Sequence, residues 1–410
     1  MHRPLALAVV AALRQIFGQQ RAAEPIVAQT LSSNPRWGAR DRRFIAEAIY
    51  DIVRHPYLPQ IADLAYFPHH WTDEQAWQLL AAWQILREQT LPDWAEFADI
   101  DPDQVKQSYT QAQQQRATRH VLPLWLDQFA AQALGDELWS RELANLDQIA
   151  PVFVRINRLK ATPRQVIESL AKNDINAQTL ASLPDALHIT ERKNIAASDA
   201  YRKGWIEIQD AGSQQIAPFC GVQAGMTVID ACAGAGGKTL HLAALMQNKG
   251  TIVAMDTDRH KLEVLEQRAQ RAGISIIRTR HLKNPKIIER YQFSADRLLL
   301  DVPCTGLGTL RRHPDIKWQL SPDRIAQILT LQADILARYS TMLHPEGQLI
   351  YATCSILPAE NEAQIAHFLQ KNTELNPNNT LFTLLQQQHI SPAQTGFDGF
   401  YMAKLRRSPL

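Results

Sequence analysis

Apolar residues in the first third of the chain recur at helical spacing. Leu5, Ala8, Val9, Ala12, Leu13, Ile16 and Phe17 fall at i, i+3, i+4 and i+7, one face of a 3.6-residue period, so the stretch predicts an amphipathic helix. Arg14 interrupts the apolar run and no clear cleavage site follows, which favours the helix over a secretory leader. Phe44, Ile45, Ala48, Ile49, Ile52 and Val53 repeat the pattern. Thr72 with Gln75 forms a capping box that starts a third stripe at Ala76, Leu79, Leu80, Trp83 and Leu86. The tryptophans on these stripes are expected to fill a core. A polar helix is expected over 103–115, and the Gln-rich QAQQQRATRH is its end or a linker.

From His120 the pattern becomes mixed, and PVFVRINRLKATPRQVIESLAKNDI predicts a strand, a turn and an amphipathic helix. Arg155 and Asn157 share one face of that strand by the period of two, as a solvent-facing pair or as RNA backbone contacts. Strands then alternate with helices: strand 227–230, a strand closing at Asp256, helix 259–272, strands 274–278 and 297–300, helix 323–343, strand 348–351 and helix 359–369. Such alternation predicts a mainly parallel sheet with helices on both faces. The expected organisation is an all-α domain over 1–118, a small α+β subdomain over 119–200, and an α/β domain over 201–410.

Composition adds little. The 43 basic and 41 acidic residues leave a formal charge of +2, so any nucleic-acid surface must be local. Two local candidates exist: PRWGARDRRF, with Arg36, Arg40, Arg42 and Arg43, and the run with Arg278, Arg280, His281, Lys283 and Lys286. Each is either a solvated face or a phosphate contact. No stretch approaches the ~20 apolar residues of a membrane span. Cys220, Cys232, Cys304 and Cys354 have neither zinc-site spacing nor disulfide-scaffold density, so we expect no metal and a reducing, cytoplasmic setting.

Candidate chemistry begins at DACAGAGGKT. A short strand ends in Asp230, and a small-residue loop with Gly234, Gly236 and Gly237 leads into a helix near Thr239. A phosphate-binding P-loop is excluded because Gly234 makes the loop too short, and the Gly-x-Gly-x-x-Gly dinucleotide fingerprint fails after Gly236. An S-adenosylmethionine loop remains. Asp256, closing the next strand, is placed to accept hydrogen bonds from ribose hydroxyls. Cys304 in DVPCTGLGTLRRHPDIKW and Cys354 in LIYATCSILPAENEAQI each follow an apolar strand. At the carboxyl ends of strands in one open sheet, both would face the ligand crevice. A thiolate added to carbon 6 of a pyrimidine makes carbon 5 nucleophilic, so two cysteines and a carboxylate beside a methyl donor suit methylation at carbon 5.

DACAGAGGKT, LLLDVPCTGLGTLRRHPDIKW and YATCSILPAENEAQI, in this order, resemble the Sun/NOP-type RNA 5-methylcytosine methyltransferases. The likeness runs from about Leu122 to the end and includes QDAGSQ and GFDGFYMAKL. It implies a Rossmann-like class I methyltransferase domain, S-adenosyl-L-methionine as cofactor, and RNA as substrate: 16S rRNA, with tRNA the alternative. It further implies Cys354 as nucleophile, Cys304 as the group assisting release, and Asp301 at the cofactor or at the amino edge of the base. Cys232, Ala233, Gly234, Ala235, Gly236, Gly237, Lys238 and Asp256 would hold the cofactor, and Arg155, Asn157, Arg311, Arg312 and Lys317 would contact RNA. The N-terminal helices, with Arg-Asp-Arg leading into an apolar helix, resemble NusB, an RNA-binding fold. The protein is expected to be a monomer.

Two departures from the family pattern stand out. Ala235 occupies a usual proline position, and 274–293 lacks the carboxylate that pairs with the adenine amino group. A weakly binding or non-catalytic RNA assembly factor is the competing reading.

Overall fold

The computed structural model describes residues 1–56, 71–191, 193–375 and 381–409. It divides into two compact units, the first made of 1–149 with 309–324, the second of 150–308 with 325–410.

The first unit is helical. Helices Arg3–Leu13, Ala23–Ser32, Ala39–Arg54 and Asp73–Leu86 pack their stripes into one core, where Leu13, Ile26, Ile45, Ile49, Leu79 and Leu80 are at most 1% exposed. The Thr72 capping box forms as expected: Thr72 Oγ1 accepts from the Gln75 amide and Gln75 Oε1 accepts from the Thr72 amide. Trp77 and Trp83 lie in the core. The unit continues beyond 118 through helices Leu124–Leu134 and Asp136–Leu146. It also takes in the excursion 309–324, whose Trp318 indole donates to the Val53 carbonyl.

The second unit contains two sheets. Strands β1 (Val152–Ile156), β2 (Ala177–Leu180), β3 (Leu183–Ile189) and β4 (Ile206–Ile208) form an antiparallel sheet in the order β2-β3-β1-β4. The larger sheet contains β5 (Thr227–Asp230), β6 (Thr251–Asp256), β7 (Ile277–His281), β8 (Ala295–Asp301), β9 (Leu343–Thr353), β10 (Phe382–Ile390) and β11 (Phe400–Arg407), in the order β10-β11-β9-β8-β5-β6-β7. From β9 to β7 the pairing is parallel, and β11 and β10 add an antiparallel edge. Strand order reverses between β5 and β8, so the ligand crevice lies at their carboxyl ends.

The expected parallel sheet is present, with three differences. The third strand begins at Ile277 rather than 274, because 274 is spent closing the preceding helix, where its amide donates to the Ala269 carbonyl. The helix expected over 323–343 ends at Tyr339, and Leu343 opens β9. The antiparallel edge is an addition. Among the described residues no helix is long and apolar enough to cross a membrane, and no cluster of His, Cys, Asp or Glu could hold a metal ion.

Candidate active site

The loop after β5 turns sharply into helix Gly237–Leu245. Gly236 adopts φ +86°, and a Cβ there would meet Leu265 Cγ at 2.5 Å, so only glycine permits the turn. Gly234 lies under open space. Asp256, closing β6, ties the crevice together: its carboxylate accepts from the Gly234 and Asp258 amides, each at 2.8 Å. The loop carbonyls are held from behind, Gly237 O by Arg155 at 2.7 Å and Ala235 O by Arg268 at 2.7 Å. Arg268 and Arg271 both pair with the buried Glu207.

Asp230 ends β5 at 1% exposure. Thr239 donates to one carboxyl oxygen at 2.7 Å, and burial pushes the group up to about 7. Because the folded value is raised, the stability contributed by the neutral form is full below about pH 4 and is lost as pH rises through about 7. Asp230→Asn should therefore gain stability relative to wild type between about pH 5 and about pH 8, read by urea unfolding; an equal difference at both pH values would contradict this.

The cysteines meet because β8 and β9 are parallel neighbours. Asp301 lies opposite Ala352, so both chains leave the sheet at the same end, and the Cys304 and Cys354 sulfurs approach to 3.2 Å. The bond to the Cys354 sulfur, burial, and the charges of Cys354 and Glu360 raise the Cys304 thiol well above its ordinary value. Either sulfur can be the donor in this contact, and the raised Cys304 thiol favours the hydrogen on Cys304. Lys238, in the first turn of the helix after the loop, places Nζ 2.5 Å from Asp301 Oδ2. Burial pulls its ammonium down, but the Asp301 carboxylate outweighs burial and leaves it raised, with the Cys354 sulfur adding in the same direction. Lys238 therefore supplies a positive charge beside the sulfur pair.

Comparison with known proteins matches residues 220–406 to the family 16S rRNA methyltransferase RsmB/F, and 122–196 to the ferredoxin-like domain of RsmF/B-like methyltransferases. A probable ribosomal RNA small subunit methyltransferase B of Synechocystis is 34% identical over 302 residues, 71% of this chain and 68% of that protein. The chain belongs to the RsmB/F family. Its counterpart in Bacillus subtilis, a probable enzyme of the same name, is 31% identical over 71% of this chain and 67% of its own length. The crystal structure of PH0851 aligns over 99% of both chains with TM-score 0.81 and 25% identity. A methyltransferase homologue from Pyrococcus horikoshii covers 70% of this chain and 95% of its own, with TM-score 0.59 and 27% identity. An RsmB/F protein is an S-adenosylmethionine-dependent RNA methyltransferase on a Rossmann-like fold.

The expected site residues separate into two groups. The loop 232–238, Asp256, Asp301, Cys304 and Cys354 assemble at one crevice. The residues expected to touch RNA do not form a surface, and four of them are buried. Arg155, 3% exposed, braces the loop after β5 through Gly237 O and Gln209. Asn157 bridges the Gly204 and Ala272 carbonyls at 2.9 Å each. Lys317, 2% exposed, donates to the Arg54 and His120 carbonyls, and burial lowers it to about 7. Arg311 is 4% exposed and its carbonyl accepts from Arg54, while Arg312 is half-buried. Arg155 and Lys317 thus spend their side chains on carbonyls within their own units. Arg36, Arg40, Arg278, Arg280, Lys283 and Lys286 are exposed instead.

Arg155→Met should consequently cost about 1–3 kcal/mol of stability, because the Gly237 carbonyl loses a charged donor. It should also weaken S-adenosylmethionine binding in calorimetry while RNA affinity changes less than about twofold. An RNA-contact role for Arg155 would show the reverse order.

Sequence reasoning missed Glu360, which is fully buried. It accepts from the Thr305 amide at 2.8 Å, Thr305 Oγ1 at 2.5 Å, Gln332 Nε2 at 3.0 Å and Ser355 Oγ. Its signal was a carboxylate soon after the second of two like segments, Cys-Thr-Gly-Leu and Cys-Ser-Ile-Leu. Cys220 and Cys232 lie outside the sulfur pair; the Cys220 thiol donates to the Ile216 carbonyl, and burial pushes it up to about 12.

Proposed function

We propose that this RsmB/F protein methylates carbon 5 of a cytosine in small-subunit rRNA through a transient bond between Cys354 and carbon 6. The observation that carries the reading is the pair of sulfurs 3.2 Å apart beside the Lys238–Asp301 ion pair. The names of the small-subunit rRNA relatives favour rRNA over tRNA.

The residues present fit S-adenosylmethionine. The Asp256 carboxylate suits ribose hydroxyls, open space over Gly234 admits a chain of atoms, and the helix N-terminus directs amides into the crevice. Where the adenine carboxylate is absent, half-buried Leu282 follows β7 and offers apolar surface. When bound, the cofactor supplies an electrophilic methyl group.

The protein's own residues perform the remaining steps. The Cys354 sulfur adds to carbon 6, which makes carbon 5 enamine-like. Lys238 places a positive charge near the attacking sulfur, and the Lys238–Asp301 pair is placed to face the charge that develops on the ring. After transfer, a water molecule takes the carbon 5 proton, and the electrons of that bond re-form the carbon 5–carbon 6 double bond and expel the Cys354 sulfur as thiolate. Cys304, with its sulfur 3.2 Å from that of Cys354, is placed to hydrogen-bond the departing sulfur and hold it off the base. An enzyme working on carbon 5 takes its base out of the stack. Exposed Arg36 and Arg40 on the NusB-like unit, and the cations along edge strand β7, are the surfaces assigned to the RNA backbone.

The test is transfer from methyl-labelled S-adenosylmethionine to 16S rRNA, followed by digestion to nucleosides. Label in 5-methylcytidine is expected; label confined to ribose or to an exocyclic nitrogen would contradict the proposal.

A further inference from the structure

The two cysteine turns are built alike. In each, the residue after cysteine carries a hydroxyl that donates to Glu360 Oε2 and accepts from the amide two residues further on: Leu307 N to Thr305 Oγ1 at 3.4 Å, Leu357 N to Ser355 Oγ at 3.1 Å. The two hydroxyl oxygens are 3.2 Å apart. One carboxylate thus joins the two turns through the residue that follows each cysteine.

The arrangement is not symmetric. Glu360 also takes the Thr305 amide, the first after Cys304, whereas the Ser355 amide goes to Thr353 Oγ1. Gln332 braces the same side, donating both to Glu360 and to the Pro303 carbonyl just before Cys304. The carboxylate is therefore bound more closely to the Cys304 turn. Its hydrogen-bond partners are an amide N–H, two hydroxyls and a side-chain amide, all donors to its two oxygens.

We propose that Glu360 is a positioning residue of the reaction: it clamps the Cys304 and Cys354 turns together and fixes which of the two sulfurs keeps the hydrogen. A carboxylate behind the Cys304 turn disfavours a second negative charge on that sulfur, in line with the raised Cys304 thiol. Cys304 then remains the donor and Cys354 the acceptor, the division of labour that attack by Cys354 requires. The inference rests on the two-cysteine reading above.

The test is differential alkylation of the full-length protein with iodoacetamide near neutral pH, with the Cys304 and Cys354 peptides quantified by mass spectrometry. In Glu360→Gln, which keeps the shape and removes the charge, labelling of Cys304 relative to Cys354 should rise about tenfold, the change in thiolate fraction for one pKa unit. Methyl transfer should slow while S-adenosylmethionine affinity is kept. An unchanged labelling ratio in a variant that melts cooperatively and binds cofactor overturns the proposal.

Should Glu360→Gln fail to fold, Thr305→Val removes one clamping hydroxyl and leaves the carboxylate. It should slow methyl transfer by roughly tenfold, the worth of one charge-assisted hydrogen bond, with Thr305→Ser restoring the rate; wild-type rates in Thr305→Val overturn the clamp. A wild-type protein that forms no RNA adduct, together with an active Cys354→Ala, would remove the two-cysteine reading whatever the labelling ratio. A normal adduct with an unchanged ratio removes the role of Glu360 alone.

Discussion

Replacing Cys354 with alanine is expected to abolish methyl transfer, and replacing Cys304 is expected to accumulate RNA covalently joined to the protein. The two sulfurs are nearly equivalent in position, 3.2 Å apart at the ends of neighbouring strands, yet their surroundings separate them. The Cys304 thiol is raised by its bond to the Cys354 sulfur, by burial and by the charges around it. The Cys354 sulfur is the one that acts on Lys238, raising its ammonium. Loss of a covalent nucleophile typically costs about four orders of magnitude or more in turnover, so Cys354→Ala should fall to background in a filter assay. Cys304→Ala leaves attack and transfer possible but removes the group that takes Cys354 off the base. A denaturing gel of that variant with RNA and cofactor should show a retarded, nuclease-sensitive band. The same band in Cys354→Ala would reverse the two roles.

Lys238→Met is expected to lower kcat by about two orders of magnitude, the range found when one preorganised charged group is removed from developing charge. The side chain leaves the cofactor loop and turns to Asp301, so S-adenosylmethionine affinity should change only a few-fold. The resemblance implied cofactor binding for Lys238, and the two roles differ in what they move. A loss seen in cofactor affinity with kcat preserved would return Lys238 to the cofactor. The ion pair is only partly exposed, with side-chain exposures of 14% and 26%, so solvent does not erase its contribution as it does for surface pairs.

Much of this architecture was legible in the sequence because local pattern and tertiary structure agree. Helical stripes such as Ile45, Ala48, Ile49 and Ile52 become the core of the helical unit, and strands ending at Asp230, Asp256 and Asp301 mark the crevice. The cysteine pair was legible for the same reason: an open parallel sheet turns two distant strand ends into one site. What could not be read was the direction in which charged side chains point. Arg155 and Asn157 share a strand face, as period two requires, but that face packs against the loop after β5 and the chain around Gly204 and Ala272. Lys317 follows two arginines and a histidine in a segment that looks like a basic surface, yet it inserts beneath Arg54 and His120. Whether a cation is a strut or a contact depends on carbonyls supplied by residues far away in the chain. Glu360 escaped notice for a related reason, since its partners Thr305, Gln332 and Ser355 come from three separate segments.

The most direct measurement is bisulfite sequencing of 16S rRNA from cells with and without the gene. One cytosine protected from conversion in the parent and converted in the deletion strain is predicted, with protection restored by the wild-type gene and not by Cys354→Ala. An identical conversion pattern in both strains would contradict cytosine-5 methylation of small-subunit rRNA by this protein.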